Sequence, residues 1–313
     1  MSKTKIWLLF FLALPAWAAN SIFTTEGSWT DAARSREIPY KIYAPQNPTG
    51  RCPVIFFSHG LGGSREGYAY LGSFWASNGY VVIHVQHIGS DEAVWRGTGG
   101  PANVMKAMNE SALNPKNALD RPRDISFAIG QLASLETNAA LRGHIDTNRI
   151  GVAGHSFGAY TTMAVAGAGA VFRDPRVEAA IAMSTPTPNP VTDATMSGVK
   201  IPVLHMTGTQ DTSPVGRPQK AEDRRTPFDH SHAADSYLVV FNGGKHMLFS
   251  GREGFGSQSS DEHNHRLIRE GTLAFWNAYL RDDAQAKAWL QNGGYSKALG
   301  DAATFEEKIP GKN

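Results

Sequence analysis

Short apolar runs rich in β-branched residues alternate with glycine-containing turns and helical patterns from about residue 36 to residue 280. Several of these runs are continuously apolar, which is typical of strands that are covered on both faces. Strands that alternate with helices favour a mostly parallel, twisted sheet with helices on both of its faces. The sequence therefore predicts a doubly wound α/β domain.

The runs that fit buried strands are Ile38–Tyr43, Val54–Ser58, Tyr80–Val85, Arg149–Ala153, Ala179–Met183, Val203–Thr207 and Tyr237–Phe241. The segments with a helical pattern are Gly67–Asn78, Arg123–Thr137, Phe157–Ala168 and His265–Leu280. Two long connections, Gly89–Leu119 and Ser184–Gly198, are predicted to be loops, and no segment is long enough for a separate lid domain. Because long loops inside compact domains are often functional, we expect Gly89–Leu119 to overhang a site.

The first residues have the pattern of a secretory signal peptide. Lys3 and Lys5 precede the apolar stretch Ile6–Leu14, and the small-residue motif Ala16–Ala18 follows it. A membrane anchor is the alternative, but the stretch is shorter than the roughly 20 residues that a spanning helix needs. We therefore expect a signal at residues 1–18, a single domain at residues 19–313, export to the periplasm or medium, and no stable membrane anchor.

Charge and cysteine content exclude some classes of protein. The formal net charge of +2 is supplied by Lys3 and Lys5, so the chain without its signal carries equal numbers of basic and acidic residues. A balanced chain has no electrostatic reason to bind nucleic acid or anionic lipid. Cys52 is the only cysteine, so an intramolecular disulfide is excluded, and we expect a buried structural thiol there.

Ser156 lies in a Gly-x-Ser-x-Gly pattern between a strand, "RIGVA", and a helical segment that begins at Phe157. A sharp strand-to-helix turn forces its middle residue into a strained conformation and exposes that side chain. Gly154 and Gly158 are then required because a Cβ at either position would clash with the turn. The alternative is an ordinary turn with an incidental serine. The flanking elements favour a nucleophile.

A serine nucleophile needs a base that is oriented by a carboxylate. Asp211 follows the strand Val203–Thr207, and His246 follows the strand Tyr237–Phe241. Because the carboxyl ends of parallel strands meet at one edge of a sheet, we expect both side chains near Ser156. The chain order nucleophile, acid, base is that of the α/β-hydrolase fold.

Other acids and histidines are less well placed for these roles; they are Asp193, Asp229, Asp235, His230, His232, His263 and His265. His205 lies inside an apolar strand, where we expect a hydrogen-bonded core histidine.

Acyl transfer develops negative charge on the carbonyl oxygen, which backbone N–H groups can bind. The N–H of Phe157, directly after the nucleophile, is the first expected donor. The second is the N–H of Leu61 in "HGLGG", residues 59–63, which follows the strand Val54–Ser58.

The motifs "SHGLGG", "GHSFGAY", "GTQD" and "GGKH" occur in the order found in the α/β-hydrolase superfamily. The chain resembles its platelet-activating-factor acetylhydrolase and dienelactone-hydrolase-like branch over nearly all of residues 19–313. The resemblance implies hydrolysis of carboxylic esters without a metal or organic cofactor. Dienelactone hydrolases carry a cysteine nucleophile where this chain has Ser156. Cutinases share the fold and usually carry a disulfide, which the single Cys52 excludes.

Two histidine-containing clusters, Asp229–His232 and Asp261–His265, have spacings that match no helical zinc site, so we expect loops or helix caps and no metal. Arg121, Arg123 and Asp124 are interpreted as a structural helix start in which Asp124 serves exposed N–H groups.

The sequence thus predicts an exported serine esterase acting on small ester or lipid-like substrates of short acyl chain. Aromatic and apolar residues of Tyr68–Trp75, with Trp95, Met105 and Met108, are expected to wall a cleft, and Trp95 is the candidate substrate-binding residue. Leu71 and Trp75 are expected to be buried helix positions instead. A serine peptidase or thioesterase on the same scaffold, or a non-catalytic binding protein, is the alternative.

Overall fold

The computed structural model describes residues 21–187, 190–213, 215–251 and 261–312, so the predicted signal segment lies outside the described residues. The strands are β1 (Ile22–Asp31), β2 (Arg36–Pro45), β3 (Cys52–Ser58), β4 (Val81–Val85), β5 (Ile145–His155), β6 (Val177–Met183), β7 (Val203–Gln210), β8 (Ser236–Lys245) and β9 (Ala303–Lys308). The α-helices are α1 (Ala69–Ser77), α2 (Pro101–Leu113), α3 (Pro115–Gly130), α4 (Phe157–Ala166), α5 (Asp193–Met196), α6 (Thr226–Asp229), α7 (Asp261–Leu280), α8 (Ala284–Gln291) and α9 (Gly294–Leu299). Within the described part of the chain, none of the helices combines the length and the apolar character needed to cross a bilayer.

These strands form one 9-stranded sheet in the order β1-β2-β4-β3-β5-β6-β7-β8-β9. Six strands that are neighbours in this order pair in parallel: β4, β3, β5, β6, β7 and β8. The pairs β1–β2, β2–β4 and β8–β9, toward the two ends of the sheet, are antiparallel. The predicted mostly parallel sheet is confirmed.

Helices cover both faces of the sheet, as predicted. One face packs against α1 and α7, whose Leu71, Trp75 and Trp276 side chains are fully buried. The other face packs against α3 and α4, with Ile125 and Val165 in its core. Strands β3 and β4 are buried along their whole lengths, which explains their continuously apolar sequences. Cys52 is a free, buried thiol, as expected.

The strand order reverses between β3 and β5. The chain passes from β3 to β4 on one side and then crosses back to β5 on the other side of β3. Ligands of open α/β sheets bind outside the carboxyl ends of the strands at such a switch point. The segments after β3 and β5, which contain Leu61 and Ser156, therefore meet where a site is expected.

The interpretation of Gly89–Leu119 as a loop is wrong, because this connection contains α2 and the beginning of α3. Pro101 and Pro115 occupy the first turns of these helices, where a missing N–H costs no hydrogen bond. Only Ser111 of α2 is buried, so α2 lacks the apolar stripe by which a core helix is recognised.

Helix α3 begins at Pro115 and continues through Pro122, so its predicted start at Arg123 is wrong. Asp124 consequently lies inside the helix, not at its N-terminus. Its carboxylate instead accepts hydrogen bonds from Arg34, Arg36 and His87.

Candidate active site

Ser156 occupies the sharp turn between β5 and α4. Its backbone has φ 55° and ψ −121°, a conformation that a residue with a side chain rarely adopts. A Cβ on Gly154 would lie 2.3 Å from the carbonyl oxygen of Gly158, and a Cβ on Gly158 would lie 1.8 Å from the carbonyl oxygen of Ser58. The predicted need for both glycines is confirmed. The turn leaves the Ser156 side chain half-buried at the carboxyl edge of the sheet.

The structure brings the predicted nucleophile, base and acid together. His246 follows β8, and its Nε2 lies 2.9 Å from Ser156 Oγ. Its Nδ1 lies 2.7 Å from Oδ1 of Asp211, which follows β7. Because an ionised carboxylate can only accept, Nδ1 carries the proton and Nε2 is free to accept the proton of Ser156. This arrangement can generate a serine alkoxide at the moment of attack.

Asp211 is held by several groups besides His246. Ser184 Oγ and Thr207 Oγ1 donate to its Oδ2, and Arg224 Nε lies 2.9 Å from its Oδ1. Burial would raise the pKa of Asp211, but the hydrogen bond from His246, the charges of His246 and Arg224 and the bond from Ser184 lower it to about 2. The carboxylate therefore stays ionised at any pH at which the protein would work.

Ser184, Thr207 and Arg224 were not found by sequence reasoning. Ser184 and Thr207 lie at the carboxyl ends of β6 and β7, so polar residues that end apolar strands were an available signal. Arg224 lies in a five-residue 3-10 helix, Ala221–Arg225, before α6, and no pattern in the sequence distinguishes it.

The predicted oxyanion donors are unpaired. The backbone around Leu61 is otherwise engaged: the N–H groups of Gly60, Gly62 and Gly63 each have an acceptor, and the carbonyl oxygen of Gly62 accepts from Trp95 Nε1. In the described residues, no acceptor binds the N–H of Leu61 or of Phe157. Both residues are half-buried. Both amides that the sequence predicts as oxyanion donors are therefore available to a ligand.

His155, inside the Ser156 turn, connects three parts of the site. Its Nε2 lies 2.9 Å from the carbonyl oxygen of His246 and must therefore donate. Its Nδ1 then accepts from Tyr68 OH at 2.8 Å, and the same hydroxyl accepts from the N–H of Gly60 at 3.2 Å. Burial and the neighbouring His246 hold the pKa of His155 well below 6.5, which keeps this ring neutral.

Trp95 lies beside the Leu61 loop, since its Nε1 donates to the carbonyl oxygen of Gly62 at 2.7 Å. Met108, on α2, and the Trp95 ring both contact Gly62: a Cβ built there would lie 2.8 Å from Met108 Sδ and 2.9 Å from Trp95 Cδ1. Asn109 of α2 accepts from the N–H of Gly216 beyond Asp211. Helix α2 therefore spans from the Leu61 loop to the Asp211 loop.

The remaining histidines have other partners or none. His205 is buried, but neither of its ring nitrogens has a hydrogen-bond partner in the described residues, so its expected hydrogen bond is wrong. His230 and His232 both contact Asp193, and Asp261–His265 begins α7, where His265 Nε2 donates to the carbonyl oxygen of Leu248. Among the residues that the structure describes, no group of three or more potential ligands is placed to hold a metal ion.

A mostly parallel sheet whose β5 ends in a strained serine turn, with an acid and a histidine after later strands, defines the α/β-hydrolase class. The sequence model of the family "Platelet-activating factor acetylhydrolase, isoform II" matches residues 8–98 and 125–250. The chain belongs to this family. The matched ranges contain Ser156, Asp211 and His246, and residues 99–124 lie between them.

One similar curated protein is the platelet-activating factor acetylhydrolase of Cavia porcellus, which is 24% identical over 283 residues. The alignment covers 82% of this chain and 64% of that protein. The chain thus spans somewhat less than two thirds of the length of this relative.

Proposed function

We propose that this protein is a serine esterase that hydrolyses carboxylic esters through Ser156, His246 and Asp211. The observation that carries the proposal is the continuous chain of contacts from Ser156 Oγ through both nitrogens of His246 to the ionised Asp211. The free N–H groups of Leu61 and Phe157 support it, because acyl transfer requires donors for the developing oxyanion.

In the proposed reaction, Ser156 Oγ attacks the ester carbonyl carbon while His246 Nε2 accepts the hydroxyl proton. Asp211 stabilises the imidazolium that forms, and the amides of Leu61 and Phe157 bind the tetrahedral oxyanion. When the intermediate collapses, the alcohol leaves with the proton from His246. A water molecule activated by His246 then attacks the acyl-enzyme, and the acid is released.

We propose short acyl esters as the substrates, with a small or lipid-like alcohol part. The names of the family and of the relative, both acetylhydrolases, support a short acyl group. The contacts of Trp95 and Met108 with Gly62 support it too, since they fill space beside the Leu61 loop. Trp95 is the proposed substrate-binding residue.

We also propose that the chain is exported, with residues 1–18 as its signal. The basic start, the apolar stretch Ile6–Leu14 and the motif Ala16–Ala18 support this.

No metal or organic cofactor takes part in the proposed reaction, so prolonged treatment with a chelator should leave the activity unchanged. A loss that zinc restores would contradict this part of the proposal.

Hydrolysis of p-nitrophenyl esters tests the proposed reaction. Ser156→Ala and His246→Ala should each lower turnover by about 10⁴ to 10⁶, because the members of such a triad act as a unit. Ser134→Ala, which changes an exposed serine far from the site, is the control and should keep full activity. A tenth of the activity remaining in either of the first two variants would show that another group is the nucleophile or base.

A further inference from the structure

Arg121 is fully buried in α3, and it is one of the largest fully buried side chains of the described chain. A buried guanidinium is costly unless its donors are paired. The contacts of Arg121 all go to segments that flank the candidate active site. The sequence indicates only a structural role for Arg121 at the start of a helix, whereas these contacts connect it to the site.

The first contacts go to the Leu61 loop. Arg121 Nη2 donates to the carbonyl oxygen of His59 and, at 3.1 Å, to Ser58 Oγ. Arg121 Nη1 donates to Ser90 Oγ at 2.8 Å, and the Ser90 carbonyl oxygen accepts from the N–H of Gly62. The guanidinium therefore fixes the chain on both sides of Leu61.

The other contacts go to the first turn of α4. Arg121 Nε donates to Thr161 Oγ1 at 3.0 Å, and that hydroxyl donates to the carbonyl oxygen of Phe157 at 2.9 Å. The guanidinium carbon also lies 4.6 Å from the centre of the Phe157 ring. One cation thus touches both segments that supply the candidate oxyanion donors.

A second buried chain supports this arrangement. Because Ser58 Oγ accepts from Arg121, its own proton goes to His87 Nε2 at 2.9 Å. His87 Nδ1 then donates to Asp124 at 3.0 Å. The N–H of His87 donates to His59 Nε2 at 3.1 Å, so His59 Nδ1 donates to the carbonyl oxygen of Gly60. Each donor in this chain has one acceptor, so these hydrogen bonds together favour one conformation of the loop.

We propose that Arg121 is a positioning residue that holds the N–H groups of Leu61 and Phe157 at a fixed separation for one oxyanion. This inference rests on the proposed esterase function. Arg121 lies in residues 99–124, outside the ranges that the family model matches. Its planar fork suits the role, because a lysine could not bind the loop and α4 simultaneously in the same geometry.

Two variants of Arg121 test the proposal. Arg121→Met should lower kcat/KM for a short p-nitrophenyl ester by about 10²-fold, as the loss of one oxyanion donor does. Arg121→Lys keeps the charge and should lose about tenfold. Active-site titration with a fluorophosphonate counts the folded molecules, so that a loss of folded protein does not enter the rates.

The decisive readout compares two inhibitors of the same shape. A trifluoromethyl ketone forms a tetrahedral adduct with the serine, and the oxyanion of this adduct binds the N–H groups of Leu61 and Phe157. The matching methyl ketone binds without forming an oxyanion. The variants should weaken the first inhibitor by the same factor as kcat/KM and leave the second unchanged. The pH dependence of the rate should also be unchanged, since Arg121 contacts neither Asp211 nor His246.

Arg281→Lys is the matched control. Arg281 donates to the carbonyl oxygens of Asn78 and Gly79 and lies 4.2 Å from the centre of the Tyr80 ring, at the opposite edge of the sheet. It should keep full activity and full affinity for both inhibitors.

Equal weakening of both ketones, or rates per titrated site within twofold of the wild type for both Arg121 variants, would overturn the inference. Ser156→Ala separates this outcome from failure of the proposed function. If Ser156→Ala is inactive and the Arg121 variants are normal, only the positioning role fails.

Discussion

Arg224 Nε lies 2.9 Å from Oδ1 of Asp211, the same carboxylate oxygen that binds Nδ1 of His246. Both charged side chains are buried. Arg224 also donates to the backbone carbonyl oxygens of Asp211 and Ser184, so it fixes the main chain as well as the carboxylate. A buried cation therefore binds the same carboxylate oxygen as His246 and holds the backbone on which the acid lies.

Removing one partner of a buried pair leaves the other charge without compensation. Arg224→Met should therefore lower the free energy of unfolding by about 3–5 kcal/mol, measured by urea denaturation. The neighbouring Arg225 is the matched control. It also forms ion pairs, with Asp229 and Glu306, but its side chain is 38% exposed. Arg225→Met should lower it by no more than about 1 kcal/mol. Equal effects of the two substitutions would show that Asp211 does not depend on the buried partner.

The central fold was predictable because buried parallel strands are continuously apolar and are separated by helical patterns. The edge strands β1 and β9 were missed because neither is a continuously apolar run: exposed residues recur along β1, β9 has a single buried residue, Ala303, and both strands include many polar side chains. Ser156, Asp211 and His246 could be selected because each follows an apolar strand. The carboxyl ends of those strands share one edge of the sheet.

Arg121 and Arg224 could not be selected in this way. Arg121 contacts a carbonyl oxygen 62 residues away in the chain, and Arg224 contacts one 40 residues away. Such contacts depend on how helices pack over the sheet, and no local pattern encodes them. Helix α2 was missed for a related reason: it buries only a serine.

Ser58 and Ser156 each lie 2.9 Å from a histidine Nε2, and each of those histidines contacts an aspartate. Ser58 is completely buried, however, and its Oγ accepts from Arg121. We expect a fluorophosphonate probe to modify Ser156 and not Ser58, as measured by peptide mass spectrometry. Ser156→Ala should abolish the labelling. Any labelling of Ser58 would show that hydrogen-bond geometry without exposure is sufficient.

Acid should destabilise the protein through its buried histidines, of which His205 is the simplest. Burial lowers its pKa to about 3, from 6.5 for an ordinary histidine. Between these values the unfolded chain binds a proton that the folded chain does not. Stability is therefore lost as the pH falls below 6.5, by about 1.4 kcal/mol per pH unit for one such group.

His205→Leu should remove this contribution, and it also removes ring nitrogens that lack partners within the described chain. The slope of unfolding free energy against pH, measured near pH 5 by urea denaturation, should become shallower by about 1.4 kcal/mol per pH unit. His263→Leu, which removes an exposed histidine of α7, is the matched control for the substitution itself. An unaltered slope in His205→Leu would mean that the ring takes up its proton while the protein is folded.

The preferred acyl chain length of the substrate is expected to depend on the contact between Met108 and Gly62. Each methylene that is buried contributes about 0.8 kcal/mol, and a chain that protrudes into water gains nothing further. For p-nitrophenyl esters, kcat/KM should therefore peak at acyl groups of roughly two to six carbons and then fall. Met108→Ala removes side-chain volume beside the Leu61 loop and should move the peak to longer chains. Met105, on the same helix, is 40% exposed, so Met105→Ala should leave the peak in place. A wild-type efficiency that rises up to palmitoyl esters would contradict the short-chain proposal.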